Sequence, residues 1–245
     1  MSDVILRAEH LAKRFWIPLR ERSSLREYVT QPFSRTQYRE LVALEGVSFD
    51  VPRGEWLGVI GLNGSGKSTL LKIFAGVYRP TAGVVRIHGK VVPILELGIG
   101  FHPDLSVRDN IFLSGVIMGL SRKEVRERFL RIVEFAEVEP FLAAKLKTLS
   151  SGFQARLAFS IAAQVDGDCY LLDEVFGIGD IEFQQKAAGV IRELKKKGRS
   201  ALLVSHNLAM LERFSDRVLY LLEGRVVGLG APRAVLEQYQ EESTT

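Results

Sequence analysis

The stretch that decides the fold is GLNGSGKST at residues 61–69. It fits the pattern G-x-x-x-x-G-K-[ST], in which glycines let backbone N–H groups approach phosphate oxygens without a Cβ in the way. The apolar run Trp56–Ile60 before the stretch predicts a buried strand, and apolar residues at helical spacing follow it. We therefore predict a turn from a strand into the N-terminus of a helix, where the helix dipole also favours an anion.

This loop predicts binding of a nucleoside triphosphate. Lys67 is expected to reach the β- and γ-phosphates as a point charge, and the Ser68 hydroxyl is expected to coordinate Mg²⁺. The alternative is an accidental glycine-rich turn, and the strand and helix patterns on either side argue against it. The loop residues assigned to the nucleotide are Gly61, Asn63, Gly64, Ser65, Gly66, Lys67, Ser68 and Thr69.

The composition is that of a globular protein. The chain has 245 residues, of which 47% are hydrophobic and 25% are charged, enough for one large domain or two small lobes with a buried core. No run approaches the ~18 uninterrupted apolar residues of a membrane-spanning helix, and the first residues lack a signal-peptide pattern. We therefore expect a soluble, cytoplasmic chain. Cys169 is expected to be a small buried side chain, and the histidines lack the spacing of zinc ligands.

The first part of the chain contains two strand-like segments, Val4–Leu11 and Val42–Val51, on either side of a basic insert at 17–41. Two interpretations of the insert stay open. It is either a solvated surface or a contact with anionic lipid headgroups, where each basic residue contributes about 1 kcal/mol. The arginines concerned are Arg20, Arg22, Arg26, Arg35 and Arg39.

The pattern changes twice after the loop. Residues 83–95 predict two β segments around a turn at Gly89, and residues 104–148 have a helical pattern with a capping box formed by Ser121 and Glu124. From Cys169 onward, apolar strands alternate with helical stretches. Such alternation predicts a parallel sheet covered by helices on both faces.

Polar residues follow two of the predicted parallel strands, at the sheet edge where ligands bind. Asp173 and Glu174 follow one apolar run, and His206 follows another. Asp173 is expected to hold Mg²⁺, Glu174 to polarise the attacking water, and His206 to hydrogen-bond a γ-phosphate oxygen. Such residues are usually structural when they occur singly, but their order after a phosphate loop favours catalysis.

A further motif, LSSGFQARLA at residues 149–158, lies between the loop and the carboxylates. Together these motifs resemble the ATP-binding cassette (ABC) family of transport ATPases, whose signature reads Leu-Ser-Gly-Gly-Gln. The resemblance covers about Val4 to Tyr239. It implies an α/β fold: a P-loop NTPase (RecA-like) core with a mixed, largely parallel sheet, an antiparallel β subdomain and an inserted helical subdomain. The implied boundaries are a core at 1–103 and 149–240, with the helical subdomain at 104–148, in a single nucleotide-binding domain.

The resemblance also implies roles for residues outside the loop. Two copies of the chain would sandwich two ATP molecules head to tail, and Ser150 and Gly152 would bind the γ-phosphate of the ATP held by the other copy. Asp180 matches the family's inter-subunit aspartate. Phe15 is the best match for the ring that stacks on adenine, with Trp16 as the alternative.

The departures from the family pattern indicate a subfamily. Ser151 and Phe153 replace a glycine and the glutamine of the signature, and Glu96 is the closest match to the family's glutamine, expected near the metal. These features look like the ATPases that export polysaccharides such as O-antigen, teichoic acid and capsule. The resemblance thus implies a peripheral ATPase at the cytoplasmic face of the inner membrane. It would act as a homodimer on two copies of a separate transmembrane permease, and the complex would export a lipid-linked glycan.

Three alternatives remain at the level of sequence. A soluble cassette ATPase acting on nucleic acid or ribosomes would usually carry two cassettes, zinc modules or coiled-coil insertions, so no nucleic acid partner is expected. A small P-loop kinase would need no signature and should act as a monomer. The ATPase of an importer shares the chemistry and differs in its permease.

Overall fold

The computed structural model describes residues 4–18, 37–95, 98, 100–174, 177 and 179–243. Most of the predicted basic insert, at 19–36, lies outside these residues, as does Glu96 with its predicted role near the metal. Strands and helices alternate along the described chain, and the strands form two sheets.

Nine strands are found in the described residues. In chain order they are β1 Val4–Pro18, β2 Tyr38–Pro52, β3 Trp56–Ile60, β4 Ala82–Ile87, β5 Val91–Ile94, β6 Cys169–Asp173, β7 Ser200–Val204, β8 Arg217–Leu222 and β9 Arg225–Gly230. One sheet is antiparallel with the order β2-β1-β4. The other has the order β5-β6-β7-β3-β8-β9, in which β9 alone among these described strands runs antiparallel.

The helices follow the same alternation. They are α1 Lys67–Phe74, α2 Val107–Ile117, α3 Arg122–Ala136, α4 Ser151–Ala162, α5 Ile181–Lys196, α6 Leu208–Phe214 and α7 Pro232–Ser243, with short 3₁₀ turns at Glu139–Phe141 and Leu146–Thr148. The capping box predicted at the start of α3 is confirmed. The Glu124 N–H donates to Ser121 Oγ at 3.2 Å, and the Ser121 N–H donates to Glu124 Oε2 at 2.7 Å.

Two features of the strands differ from the sequence pattern. β1 and β2 extend well beyond the predicted segments, because their outer ends continue the backbone ladder with exposed side chains that give no burial signal. The two segments around Gly89 do not pair with each other. β4 joins the antiparallel sheet and β5 the edge of the larger sheet, so the turn carries the chain from one sheet to the other.

The larger sheet has a hydrophobic core on each face. In β7, Leu202 and Val204 pack with β1 and α1, while Ala201 and Leu203 face the core shared with α2 to α7. This alternation follows from the two-residue side-chain period of a strand. Cys169 is buried as predicted, and burial raises the pKa of its thiol to about 12. In the part of the chain that the structure describes, no helix combines the length and apolarity needed to cross a bilayer.

β3, which leads into the loop at 61–69, packs closely against α6 at Gly58. A Cβ on Gly58 would lie 2.5 Å from Ser215 Oγ and 3.0 Å from Leu211 Cδ2. The Ser215 hydroxyl is buried, and it has no hydrogen-bond partner among the described residues. The absence of a side chain at Gly58 therefore sets the distance between the strand and this helix.

We predict that Gly58→Ala lowers the free energy of unfolding by about 1–3 kcal/mol, because the new methyl group overpacks this contact. Ser215→Ala should be nearly neutral, since it removes a hydroxyl that makes no hydrogen bond. In the Ser215→Ala background, Gly58→Ala should therefore be less destabilising. Denaturant unfolding of the four proteins measures this coupling, and equal losses in both backgrounds would contradict it.

Candidate active site

The loop between β3 and α1 needs glycine at three positions for different reasons. A Cβ on Gly61 would lie 2.2 Å from the carbonyl oxygen of Leu221, and one on Gly66 would lie 2.5 Å from that of Ala43. Gly66 also has φ 105° where it caps α1, a left-handed conformation that favours glycine. Gly64 has φ 81° and open space where a Cβ would be. The backbone of Gly64 is thus accessible to a ligand.

Lys67 lies across this loop and is 7% exposed. Its Nζ donates to the carbonyl oxygens of Gly61 at 2.8 Å and Leu62 at 2.9 Å. Burial lowers the pKa of Lys67, while Asp173 and Glu174 act in the opposite direction. The ammonium is therefore held at the loop by its own backbone, next to the two carboxylates.

A cleft of about 480 Å³ opens over the loop. It brings together most of the residues that the sequence assigned to the nucleotide and to catalysis. Those lining it are Phe15, Asn63, Gly64, Gly66, Lys67, Ser68, Thr69, Asp173, Glu174 and His206. Gly61 and Ser65 belong to the same loop but are absent from the described lining. Ser65 is buried, and its hydroxyl has no hydrogen-bond partner within the described chain.

The two candidates for a ring that contacts adenine lie differently. Phe15 lines the cleft and packs edge-to-face on Tyr78, with ring centroids 5.3 Å apart. Lys13 Nζ lies 4.9 Å from the centroid of the Phe15 ring. Trp16 is 63% exposed and is not among the described lining residues. Adjacent residues of a strand point to opposite faces, so the geometry favours Phe15.

The two carboxylates follow directly from β6. Glu174 has φ 49°, a left-handed conformation that is uncommon for a residue with a side chain and is concentrated at functional sites. Its N–H donates to the Val204 carbonyl at 3.1 Å, and its Oε1 accepts from the His206 N–H at 2.8 Å. His206 Nε2 lies 3.8 Å from the same carboxylate oxygen. The end of β7 thus holds both the backbone and the carboxylate of Glu174.

Asp173 has an unfavourable electrostatic environment. Burial, and next the Glu174 charge, raise its pKa, although Lys67 opposes them. A divalent cation would stabilise the ionised form of both carboxylates. The described residues contain no group of three or more His, Cys, Asp or Glu that could hold a metal. Mg²⁺ at nucleotide sites typically uses one or two carboxylates and the phosphates, so Ser68 and Asp173 fit this ion.

The residues predicted to act across a dimer lie elsewhere on the chain. Ser150 is exposed and caps α4, accepting from the Phe153 N–H at 3.4 Å, and Gly152 lies in the first turn of that helix. Asp180 caps α5, accepting from the Phe183 N–H at 3.0 Å. This hydrogen bond, and then the Arg156 charge, lower the pKa of Asp180. Within the described part of the chain, none of the three predicted residues lines the cleft.

A family model described as ABC transporter matches residues 44–177. The chain belongs to the ABC transporter family. It is an ATPase of this family, as the sequence predicted, and its α/β cassette fold is confirmed.

Relatives and solved structures agree with this assignment of the ABC ATPase. The chain is 44% identical over 222 residues to an O-antigen export system ATP-binding protein, RfbB, of Klebsiella pneumoniae. The match covers 89% of this chain and 90% of the relative. The chain is 36% identical to the teichoic acids export ATP-binding protein TagH of Lactococcus lactis, over 98% of this chain and 51% of the relative. A solved ATP binding subunit of an ABC transporter is 25% identical with TM-score 0.74, covering 96% of this chain and 93% of that one. A dimeric ATP-binding cassette bound to ADP and Pi has the same fold, with 23% identity and TM-score 0.73 over 94% of this chain and 99% of that one.

Sequence reasoning did not find part of the cleft lining of this ABC ATPase, nor a buried ion pair outside the cleft. Leu41, Val42 and Ala43 of β2 line the cleft, although this part of the sequence carries no motif. Arg156, in the signature helix α4, is buried and pairs with Asp180 and Glu137. Arg156 is the one charged residue of α4, and this was the available signal, because a buried arginine needs an acidic partner.

The raised pKa of Asp173 predicts a pH dependence of stability in the nucleotide-free protein. The folded state binds the proton of Asp173 more tightly than the unfolded state does. The stability from this proton is present below the unfolded pKa, near pH 4, and is lost as pH rises through the folded pKa. At neutral pH the ionised carboxylate therefore destabilises the fold.

We predict that Asp173→Asn raises the melting temperature at neutral pH, and that its advantage over wild type shrinks as the pH falls toward about 4. Thermal melts of both proteins across this range are the measurement. Glu127→Gln, a change at an exposed helical position, is the matched control and should show no such trend. An advantage that stays constant with pH would disagree with the argument.

Proposed function

We propose that this chain is the ATPase subunit of a transporter that exports a lipid-linked polysaccharide across the cytoplasmic membrane. The observation that carries the proposal is the cleft in which the phosphate loop, the Asp173-Glu174 pair and His206 meet, in a chain similar along most of its length to O-antigen and teichoic acid export ATP-binding proteins. The chain would lie peripherally on the cytoplasmic face of the membrane. Two copies would bind a separate permease made of two copies of a membrane-spanning chain.

The cleft supports the following binding arrangement. The accessible backbone of Gly64 and the N–H groups at the start of α1 would bind the phosphates of ATP, and Phe15 would contact the adenine. Lys67 would exchange its bonds to loop carbonyls for bonds to phosphate oxygens. Ser68 and Asp173 would hold Mg²⁺, which neutralises charge on the phosphate oxygens when bound.

The same geometry supports hydrolysis by Glu174. The His206 N–H and the backbone bond to Val204 fix the direction of its carboxylate before any ligand arrives. Such preorganisation suits a group that orients and polarises the attacking water. The His206 side chain, on the next strand end, would donate to the γ-phosphate.

A second copy of the chain would complete this site. Ser150 and Gly152 lie at the exposed N-terminus of α4, outside the cleft of their own chain, where the helix dipole favours an anion. A head-to-tail homodimer would place them on the γ-phosphate bound by the partner, with Asp180 also at the interface. Each charge-assisted hydrogen bond would contribute about 1.5–3 kcal/mol, so ATP itself would hold the two copies together.

We predict that Glu174→Gln retains ATP binding, loses turnover by about 100-fold or more, and accumulates as an ATP-bound dimer. The amide keeps an acceptor for the His206 N–H but is a much weaker base. Phosphate release and light scattering after gel filtration measure the two effects. Lys67→Ala is the matched control: it should stay folded yet fail to bind ATP or dimerise. Turnover at the wild-type rate would remove Glu174 from its proposed role, and a monomer at saturating ATP would refute the shared site.

A second cavity supports docking of the permease. It has a volume of about 420 Å³ and lies where the core meets the helical segment 104–148. Its described lining is Gly98, Phe101, Pro103, Leu146, Lys147 and Gln154. The mixture of apolar groups with a cation suits a short amphipathic helix of a membrane protein.

We predict that the complex with the permease, reconstituted in vesicles, hydrolyses ATP faster when its lipid-linked glycan is present, because the substrate favours the conformation that closes the two ATPase subunits. The glycan without its lipid should not stimulate turnover. Stimulation by an external binding protein instead would identify an importer.

The docking cavity has its own test. Phe101→Glu places a charge in the cavity and should abolish copurification with the permease, whereas Leu130→Glu, at a 70% exposed position of α3, should not.

A further inference from the structure

Arg156 is the centre of a buried cluster in the signature helix α4. Arg156 as a whole is 9% exposed. Its guanidinium pairs with two carboxylates, that of Glu137 at 3.1 Å and that of Asp180. The rings of Phe153 and Phe183 lie 5.4 Å and 5.2 Å from its Cζ atom. Two carboxylates and two aromatic rings thus surround the guanidinium.

The partners of Arg156 come from three parts of the protein. Glu137 ends α3 in a left-handed conformation with φ 58°, within the helical segment 104–148. Phe153 belongs to the first turn of α4, next to Ser150. Asp180 and Phe183 begin α5, the helix that follows Glu174 in the chain. Arg156 therefore connects the first turn of α4 to the start of α5 and to the end of α3.

The turn before α5 packs directly on this arginine. A Cβ on Gly179 would lie 3.2 Å from Arg156 Nε and 3.1 Å from Phe183 Cβ. Arginine suits this position because its planar guanidinium can bond two carboxylates at once, which a lysine ammonium cannot do with the same geometry. Displacing Asp180 would leave a buried charge partly unpaired.

We propose that Arg156 is a positioning residue that makes the N-terminal end of α4 and the Asp180 turn move as one body. It would couple the two ATP sites of the dimer. When Ser150 closes on the ATP of the partner, the pair between Arg156 and Asp180 carries that movement to the start of α5 in its own chain. This inference rests on the shared site proposed above. It adds a role for a residue that belongs neither to the described lining of the cleft nor to the residues predicted to contact the partner's ATP.

The test compares Arg156→Gln with wild type in the complex with the permease. Wild type should hydrolyse ATP cooperatively, whereas the variant should show a Hill coefficient of about 1 and a turnover number lower by about tenfold or more. The ATP affinity of the isolated variant chain should stay within about twofold of wild type, because Arg156 does not line the cleft among the described residues. A purely structural role would lower melting temperature, affinity and turnover together.

Three further variants separate the proposed coupling from general packing. Asp180→Asn keeps a helix cap but removes the ion pair, so it should lower cooperativity, and the double variant with Arg156→Gln should lose little more. Arg156→Lys should recover part of the loss. Lys196→Gln is the matched control, since Lys196 is an exposed cation of α5 that pairs with Glu193 of the same helix, and it should behave as wild type. If Arg156→Gln fails to fold, the comparison of Arg156→Lys, Asp180→Asn and their double variant measures the same coupling.

Wild-type cooperativity and turnover in Arg156→Gln would overturn the inference. Additive losses in Arg156 and Asp180 variants would do the same, as would wild-type dimers that hydrolyse ATP without cooperativity. A wild-type chain that stays monomeric with ATP would instead refute the shared site itself. The two failures are therefore distinguishable.

Discussion

The site depends on a backbone constraint at the end of β3. The chain must leave a buried strand and enter a helix while it passes close to the carbonyl groups of two neighbouring strands. Gly61 lies against the backbone of β8 and Gly66 against that of β2. Side chains at either position would push the loop away from the strands that support it. The absence of side chains at Gly61 and Gly66 thus keeps the loop against β8 and β2.

Charge is distributed around this loop in a way that favours ligand binding over stability. Lys67 is buried and Asp173 is half-buried. Burial lowers the pKa of Lys67 and raises the pKa of Asp173, so it favours the neutral form of each side chain. Phosphates and a divalent cation would supply the missing opposite charges. A site that is electrostatically incomplete by itself is a common consequence of selection for function.

The residues predicted to carry the chemistry of this ABC ATPase lie in two regions of the chain. The cleft holds the phosphate loop, the carboxylates and His206, whereas Ser150, Gly152 and Asp180 lie outside its described lining. Arg156 of α4 pairs with Asp180 at the start of α5, and it also reaches the helical segment through Glu137. The residues predicted to face a partner copy are therefore joined to one another by contacts within their own chain.

The sequence by itself determined the features that depend on neighbouring residues. The phosphate loop, the capping box of α3 and the Asp173-Glu174 strand end follow from short motifs, because turns, caps and helix starts are decided within a few residues. Tertiary structure decided that β4 and β5 join different sheets, that Leu41 to Ala43 line the cleft, and that Arg156 pairs with Asp180. These contacts join residues far apart in the chain, and their free energy comes from burial and pairing that appear once the sheets and helices have packed.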